Sequence, residues 1–225
     1  MASYLDRSIE LIGENKVASF EDKVIMVIGL GGVGGTALNA LMRSGFKHFI
    51  IVDHDKVDIT NINRQVMYTS KDVGQSKVDV CEKQIKAIDE SITVEKHELF
   101  IDEETLKEFS GKKIDFIVDA IDKIPSKIAI VKFAKENNIP FIMSLGMGNR
   151  IDPEKVTITK LNKTENDPLA KKLRYLLRQD GIDLKDIPVI FSKEIPLVKQ
   201  EHPASMMMVP STAGLLIAKY IIETL

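Results

Sequence analysis

A chain of 225 residues with 44% hydrophobic content is long enough to bury a substantial core, and it is read as one domain over residues 1–225. Its formal charge of −2, from 31 basic and 33 acidic residues, confines any nucleic-acid footprint to a local patch. A single cysteine, Cys81, excludes an intramolecular disulfide and a zinc site built from paired CxxC motifs, and it fits a reducing compartment.

Met1 to Arg7 lacks the long apolar core of a signal peptide, so a cytoplasmic location is expected. Apolar Val24 to Ile28 predicts a strand over 24–29, which runs into Gly29-Leu30-Gly31-Gly32-Val33-Gly34 and a helix over 33–44. A second strand over 47–53 ends at Asp53 and Asp55. Helices are expected over 76–88, 102–109 and 125–137, alternating with strands over 92–96, 114–119 and 140–145. After Gly146 the pattern changes, with a strand at Val156 to Thr159, a helix over 167–179, a strand at Val189 to Lys193 and a helix over 211–224. Met206 to Met208 is read as a buried strand. Val209 to Leu225 is broken by Lys219 and Glu223, so it reads as a packed helix rather than a membrane span. The fold class is α/β, a Rossmann-like doubly wound sheet that is parallel in its N-terminal part and extended at its C-terminal end in mixed or antiparallel orientation.

The glycine run between strand and helix, followed by an acid at the next strand tip, describes a nucleotide-binding βαβ unit. Glycines allow a close backbone approach, the helix presents free N–H groups to phosphate, and the acid reaches a ribose hydroxyl. A dinucleotide would explain that much. Further along, Asn61, Arg64 and Gln65 lie in one loop, Lys77 opens a helix, and Asp119-Ala120-Ile121-Asp122 closes a strand. Arg and Lys suit a triphosphate and an Asp at a strand tip suits its Mg²⁺, so the set points to ATP.

In this order and spacing, Arg7, Gly29 to Gly34, Asp53-x-Asp55, Asn61-x-x-Arg64-Gln65, Gly74-x-x-Lys77 and Asp119 to Asp122 resemble the ThiF-type adenylating superfamily. That superfamily includes the ubiquitin-activating enzymes and the activators of sulfur carriers. Within it the resemblance is closest to the tRNA threonylcarbamoyladenosine dehydratases. Three further stretches carry this, Arg7 to Glu14, Lys163 to Ala170 and Val189 to Glu194.

The resemblance implies adenylation of a substrate carboxylate at the α-phosphorus of Mg-ATP, then ring closure with loss of AMP. It implies Gly29, Gly31, Gly32, Gly34, Asp53, Asp55, Asn61, Arg64, Gln65 and Lys77 at the nucleotide, and Asp122 as the Mg²⁺ ligand. The alternative for Asp122 is to cap the helix that follows, a role Asp also fills well and one that does not exclude the metal. Arg7 would act on the phosphates of a partner subunit, which makes a homodimer the expected state. The resemblance also implies a tRNA bearing threonylcarbamoyladenosine as substrate and a cysteine desulfurase with its sulfur acceptor as partners. Some members hold a monovalent cation, K⁺ or Na⁺.

Other features are expected to be structural. Cys81 lies beside Val78, Val80 and Ile85 and reads as core. His48, His54, His97 and His202 show no ligand spacing, and His54 would pack behind the site. Lys160 to Arg178 holds six basic residues against two acidic ones, either a solvated face or a tRNA contact. Two other functions share the ATP site, an activator of a small ubiquitin-like sulfur carrier and a non-catalytic nucleotide sensor.

Overall fold

The computed structural model describes residues 3–198 and 203–225, so His202 lies outside the described residues. Strand β1 (Val24–Ile28) is a continuous apolar run, as a strand covered on both faces requires. Its side chains alternate between two cores. Ile25 and Val27 join one apolar cluster, and Met26 and Ile28 join the other.

Around β1 the sheet has seven strands in the order β3-β2-β1-β4-β5-β7-β6. The other strands are β2 (His48–Val52), β3 (Thr93–His97), β4 (Phe116–Asp119), β5 (Phe141–Ser144), β6 (Val156–Lys160) and β7 (Pro188–Ser192). Every pairing is parallel except β6 with β7, the antiparallel extension expected after Gly146.

Two short helices, α1 (Asp6–Ile12) and α2 (Glu14–Ala18), precede β1. Helices α3 (Gly32–Arg43), α4 (Lys77–Ile88) and α7 (Met208–Thr224) cover one face, contributing Leu38, Cys81 and Ile217 to the first cluster. Helices α5 (Ile124–Glu136) and α6 (Pro168–Gln179) cover the other with Ile130 and Leu173. From β1 the chain winds outward to β2 and β3, then returns to β4 on the opposite side. That reversal opens a crevice beyond the C-terminal ends of β1 and β4.

Two expectations are corrected. The helix over 102–109 shrinks to a 3₁₀ segment at Thr105–Phe109, where only Leu106 and Phe109 are buried and too little apolar surface exists to support a full helix. Met206 to Met208 is no buried strand. All three side chains are exposed and Met208 begins α7, whose buried stripe starts at Val209 and Pro210. No described helix is long and apolar enough to cross a membrane.

Candidate active site

The crevice at the strand reversal is a cleft of about 380 Å³. Its floor is the glycine turn. Gly29 has φ of +88°, and a Cβ there would lie 2.8 Å from the carbonyl oxygen of Ala120, so only glycine suits both the backbone and the space. A Cβ on Gly34 would overlap the Gly29 carbonyl, which lets α3 begin directly on the strand end. Gly31 is the N-cap of α3 and no side chain caps it, so the first amides of the helix keep their capacity to bind an anion. Tyr68 steadies the turn by donating its hydroxyl to the Leu30 carbonyl at 2.8 Å.

The tip of β2 carries the acids. Asp53 is buried and accepts from the Leu30 amide at 2.7 Å and the Asp55 amide at 2.9 Å, which ties β2 to the glycine turn. Lys77, also buried, donates to Asp55 at 2.8 Å and lies 3.9 Å from Asp53. Burial works to raise the Asp55 pKa, but the hydrogen bond and charge of Lys77 outweigh it and hold the carboxyl below its ordinary value. Because α4 starts at Lys77, whose amide bonds the Asp55 carbonyl at 3.1 Å, the lysine is positioned by backbone as well as by charge.

Arg64 reaches the rim, where it donates to the Thr60 carbonyl at 2.6 Å. Gln65 lines the cleft with its buried side-chain oxygen unpartnered, and the Ser126 hydroxyl opposite is likewise unpartnered among the described residues. Such orphaned polar atoms suit a polar ligand. On the far wall Asp122 and Lys123 follow β4. Lys123, not Asp122, occupies the N-cap position of α5, so the capping alternative for Asp122 does not hold.

Beneath Asp122 lies a pair that the sequence reading missed. Asp119 and Lys127 are both 0% exposed and meet at 2.8 Å. Burial pushes the Asp119 carboxyl up against the opposing pull of Lys127. Their joint cost of desolvation is offset only while both remain. The signal was available, since Lys127 falls on the apolar stripe of α5 with Ile124, Ile128 and Val131.

A third wall comes from the chain after β5. The Asp167 carboxylate accepts from the Gly146 amide at 3.1 Å, caps α6 through the Ala170 amide at 2.9 Å, and faces Arg150 at 3.9 Å. This holds Gly146 and Gly148 against the cleft.

Gly29, Gly31, Gly32, Asp53, Asp55, Arg64, Gln65, Lys77 and Asp122 therefore converge on one cleft. Gly34 packs beneath it. Asn61 is outside the wall, where its side-chain oxygen accepts from the Asp58 amide at 3.2 Å and closes a 3₁₀ turn. Arg7 sits on α1 with its side chain 91% exposed and paired with Glu10. His54 lines the cleft with its ring edge-on to Phe100 at 5.2 Å. Cys81 is fully buried, and burial pushes its thiol up to about 12.

The ThiF family pattern matches residues 5–167. The chain belongs to the ThiF family. This ThiF-family chain is 36% identical to the tRNA threonylcarbamoyladenosine dehydratase of Bacillus subtilis, with all of the chain and 95% of that protein aligned. Its fold matches the crystal structure of Escherichia coli tRNA N6-threonylcarbamoyladenosine dehydratase in complex with ATP at a TM-score of 0.93 and 30% identity, covering 98% of this chain and 93% of that one. The sulfur carrier protein adenylyltransferase of Thermus thermophilus is 32% identical over only 47% of the chain and 39% of its own length.

Proposed function

We propose that the chain is an ATP-dependent tRNA threonylcarbamoyladenosine dehydratase. The observation that carries this is the gathering of Arg64, Lys77 and Asp122 around the uncapped N-terminus of α3, in a chain similar over its full length to dehydratases.

The threonyl carboxylate of the modified nucleoside attacks the α-phosphorus of ATP, pyrophosphate leaves, and an acyl-adenylate forms. A carbamoyl atom of the same nucleoside then attacks the activated carbonyl, closing the ring and expelling AMP. Counted from the carboxylic acid, the water lost departs as the carboxyl oxygen retained on AMP and two protons, one from ionisation of the carboxyl and one from the attacking carbamoyl group.

The residues supply position and charge. Backbone amides at Gly31 and Gly32 cradle phosphate, while Arg64 and Lys77 neutralise the charge that builds as pyrophosphate leaves. Lys77 can do so because the Asp55 carboxyl is exposed and can release it to a stronger anion. Asp53 shapes the turn and stands at the place where a ribose hydroxyl is expected. Gln65 and Ser126 offer their unpartnered polar atoms to the nucleotide. Asp122 would hold Mg²⁺, which supplies further neutralisation of the triphosphate. No enzyme nucleophile is needed, in keeping with the buried protonated thiol of Cys81.

Three parts of this reading rest on family resemblance. Arg7, exposed and away from its own cleft, acts across a homodimer. Asn61 orients the phosphates or the metal. The partners are a cysteine desulfurase and its sulfur acceptor. The setting is the cytoplasm, supported by the reducing compartment that a lone cysteine suits.

AMP release from ATP, measured with tRNA carrying the modified nucleoside and with tRNA lacking it, tests the assignment. Release is expected only with the modified tRNA, and Asp122→Ala or Lys77→Ala should lower it by about 100-fold or more. AMP release that requires a ubiquitin-like carrier instead would favour the sulfur-carrier alternative, and full turnover in Asp122→Ala would sink the residue assignments.

A further inference from the structure

The basic residues of 160–178 take no part in the ATP cleft. Helix α6 buries Ala170, Leu173 and Leu177, and sets Lys171, Arg174, Tyr175 and Arg178 at i, i+3, i+4 and i+7 along another face. Tyr175 is 56% exposed, an aromatic ring standing in water among cations. Beside this face runs a second groove of about 860 Å³, with Lys171 and Arg174 on one bank and exposed Ile195 and Val198 on the other.

The groove abuts the ATP cleft. Gly148 and Leu169 line the cleft, while their neighbours Asn149 and Pro168 line the groove. Its accessible charge is positive among the described residues, because Asp167, the one carboxylate they place in its lining, is turned inward to the Gly146 and Ala170 amides and to Arg150. A chain with a net charge of −2 thus places cations, an exposed ring, amide side chains and an aliphatic bank next to its reaction centre.

We propose that this groove and the adjoining face of α6 bind the RNA strand flanking the modified adenosine. This rests on the dehydratase reading for the identity of the RNA. Lys171 and Arg178 pair with phosphates and Tyr175 stacks on an unpaired base. The Asn149 NH₂, whose companion oxygen accepts from the Ala204 amide, and the Asn166 amide meet a base edge above Ile195 and Val198. Loop RNA offers these groups, since its bases are unstacked and its backbone is a dense polyanion. A second copy of this chain would match the aliphatic bank but not the cations, which no carboxylate among the described residues pairs.

The test is a titration of wild type, Lys171→Glu with Arg178→Glu, and Tyr175→Ala with modified tRNA across a salt series, alongside ATP binding and sedimentation. We expect the charge reversal to weaken tRNA binding about tenfold or more and to flatten the salt dependence by about one unit of log–log slope per lost contact. Tyr175→Ala should weaken it by about fivefold or more. ATP affinity, staying within about twofold, shows that the variants fold. Equal tRNA affinity and salt slope in all three proteins overturns the proposal, as does absence of tRNA binding by wild type. A variant that alters only the sedimentation state also overturns it and assigns the groove to self-association. Wild type that binds tRNA through α6 but never dehydrates it defeats the dehydratase reading and leaves the groove standing.

Discussion

At the scale of single residues, the buried Asp119–Lys127 pair sets the strongest expectation. Removing the cation strands a carboxylate that has no access to water, so Lys127→Ala should destabilise the fold by about 3–5 kcal/mol. For a chain of this size the melting temperature should fall by roughly 6–20 °C in calorimetry. Adding Asp119→Asn, which keeps an acceptor for the Ile121 amide, should recover much of the loss, whereas a single variant that melts like wild type would show the pair to be dispensable. Cys81 gives a pH prediction. Its thiol is raised from 9.0 to about 12 by burial, so the folded state holds the proton to higher pH than the unfolded chain does. Stability is therefore unaffected below about pH 9 and declines as pH rises from there towards 12. Iodoacetamide at pH 8 should leave the native protein unlabelled and label it fully once denatured, and rapid native labelling would refute the buried assignment.

Among the elements, the contact of α3 with α7 matters most for the site, because α3 presents its uncapped first amides at the cleft. Gly214 makes that contact close. A Cβ there would lie 2.5 Å from the Val33 carbonyl oxygen and 2.7 Å from the Thr36 Cβ. Gly214→Ala should push the helices apart, cost about 1–3 kcal/mol and weaken ATP binding with it. Isothermal titration and a thermal melt check both, and unchanged values in each would show that the helices have slack. The same elements show what was legible in the sequence. Strands β1, β2, β4 and β5 announced themselves as apolar runs, and the glycine turn and acidic strand tip located the crevice. The turn at Asn61 was not legible, because its local capping of Asp58 depends on backbone geometry that a motif does not encode. Met206 to Met208 misled because apolar composition does not say whether a side chain is covered. The apolar stripe of α5 held the signal that Lys127 is buried, but the stripe does not name its partner, which only the strand end at Asp119 supplies.

For the whole molecule, one sheet brings together two polar features that lie far apart along the chain. The glycine turn precedes residue 35, and the basic helix that borders the groove ends at Gln179. Their adjacency comes from β5, whose C-terminal end leads into the Gly146–Asn149 segment that both cavities share. A cleft suited to ATP beside a groove suited to RNA is the arrangement a tRNA-modifying adenylating enzyme needs. Nucleoside mass spectrometry on tRNA carrying threonylcarbamoyladenosine, incubated with the protein and Mg-ATP, tests this most directly, with Asp122→Ala as control. The modified nucleoside should lose the mass of one water with wild type and keep it with the variant. An unchanged nucleoside under conditions where the protein binds ATP and tRNA would contradict the account.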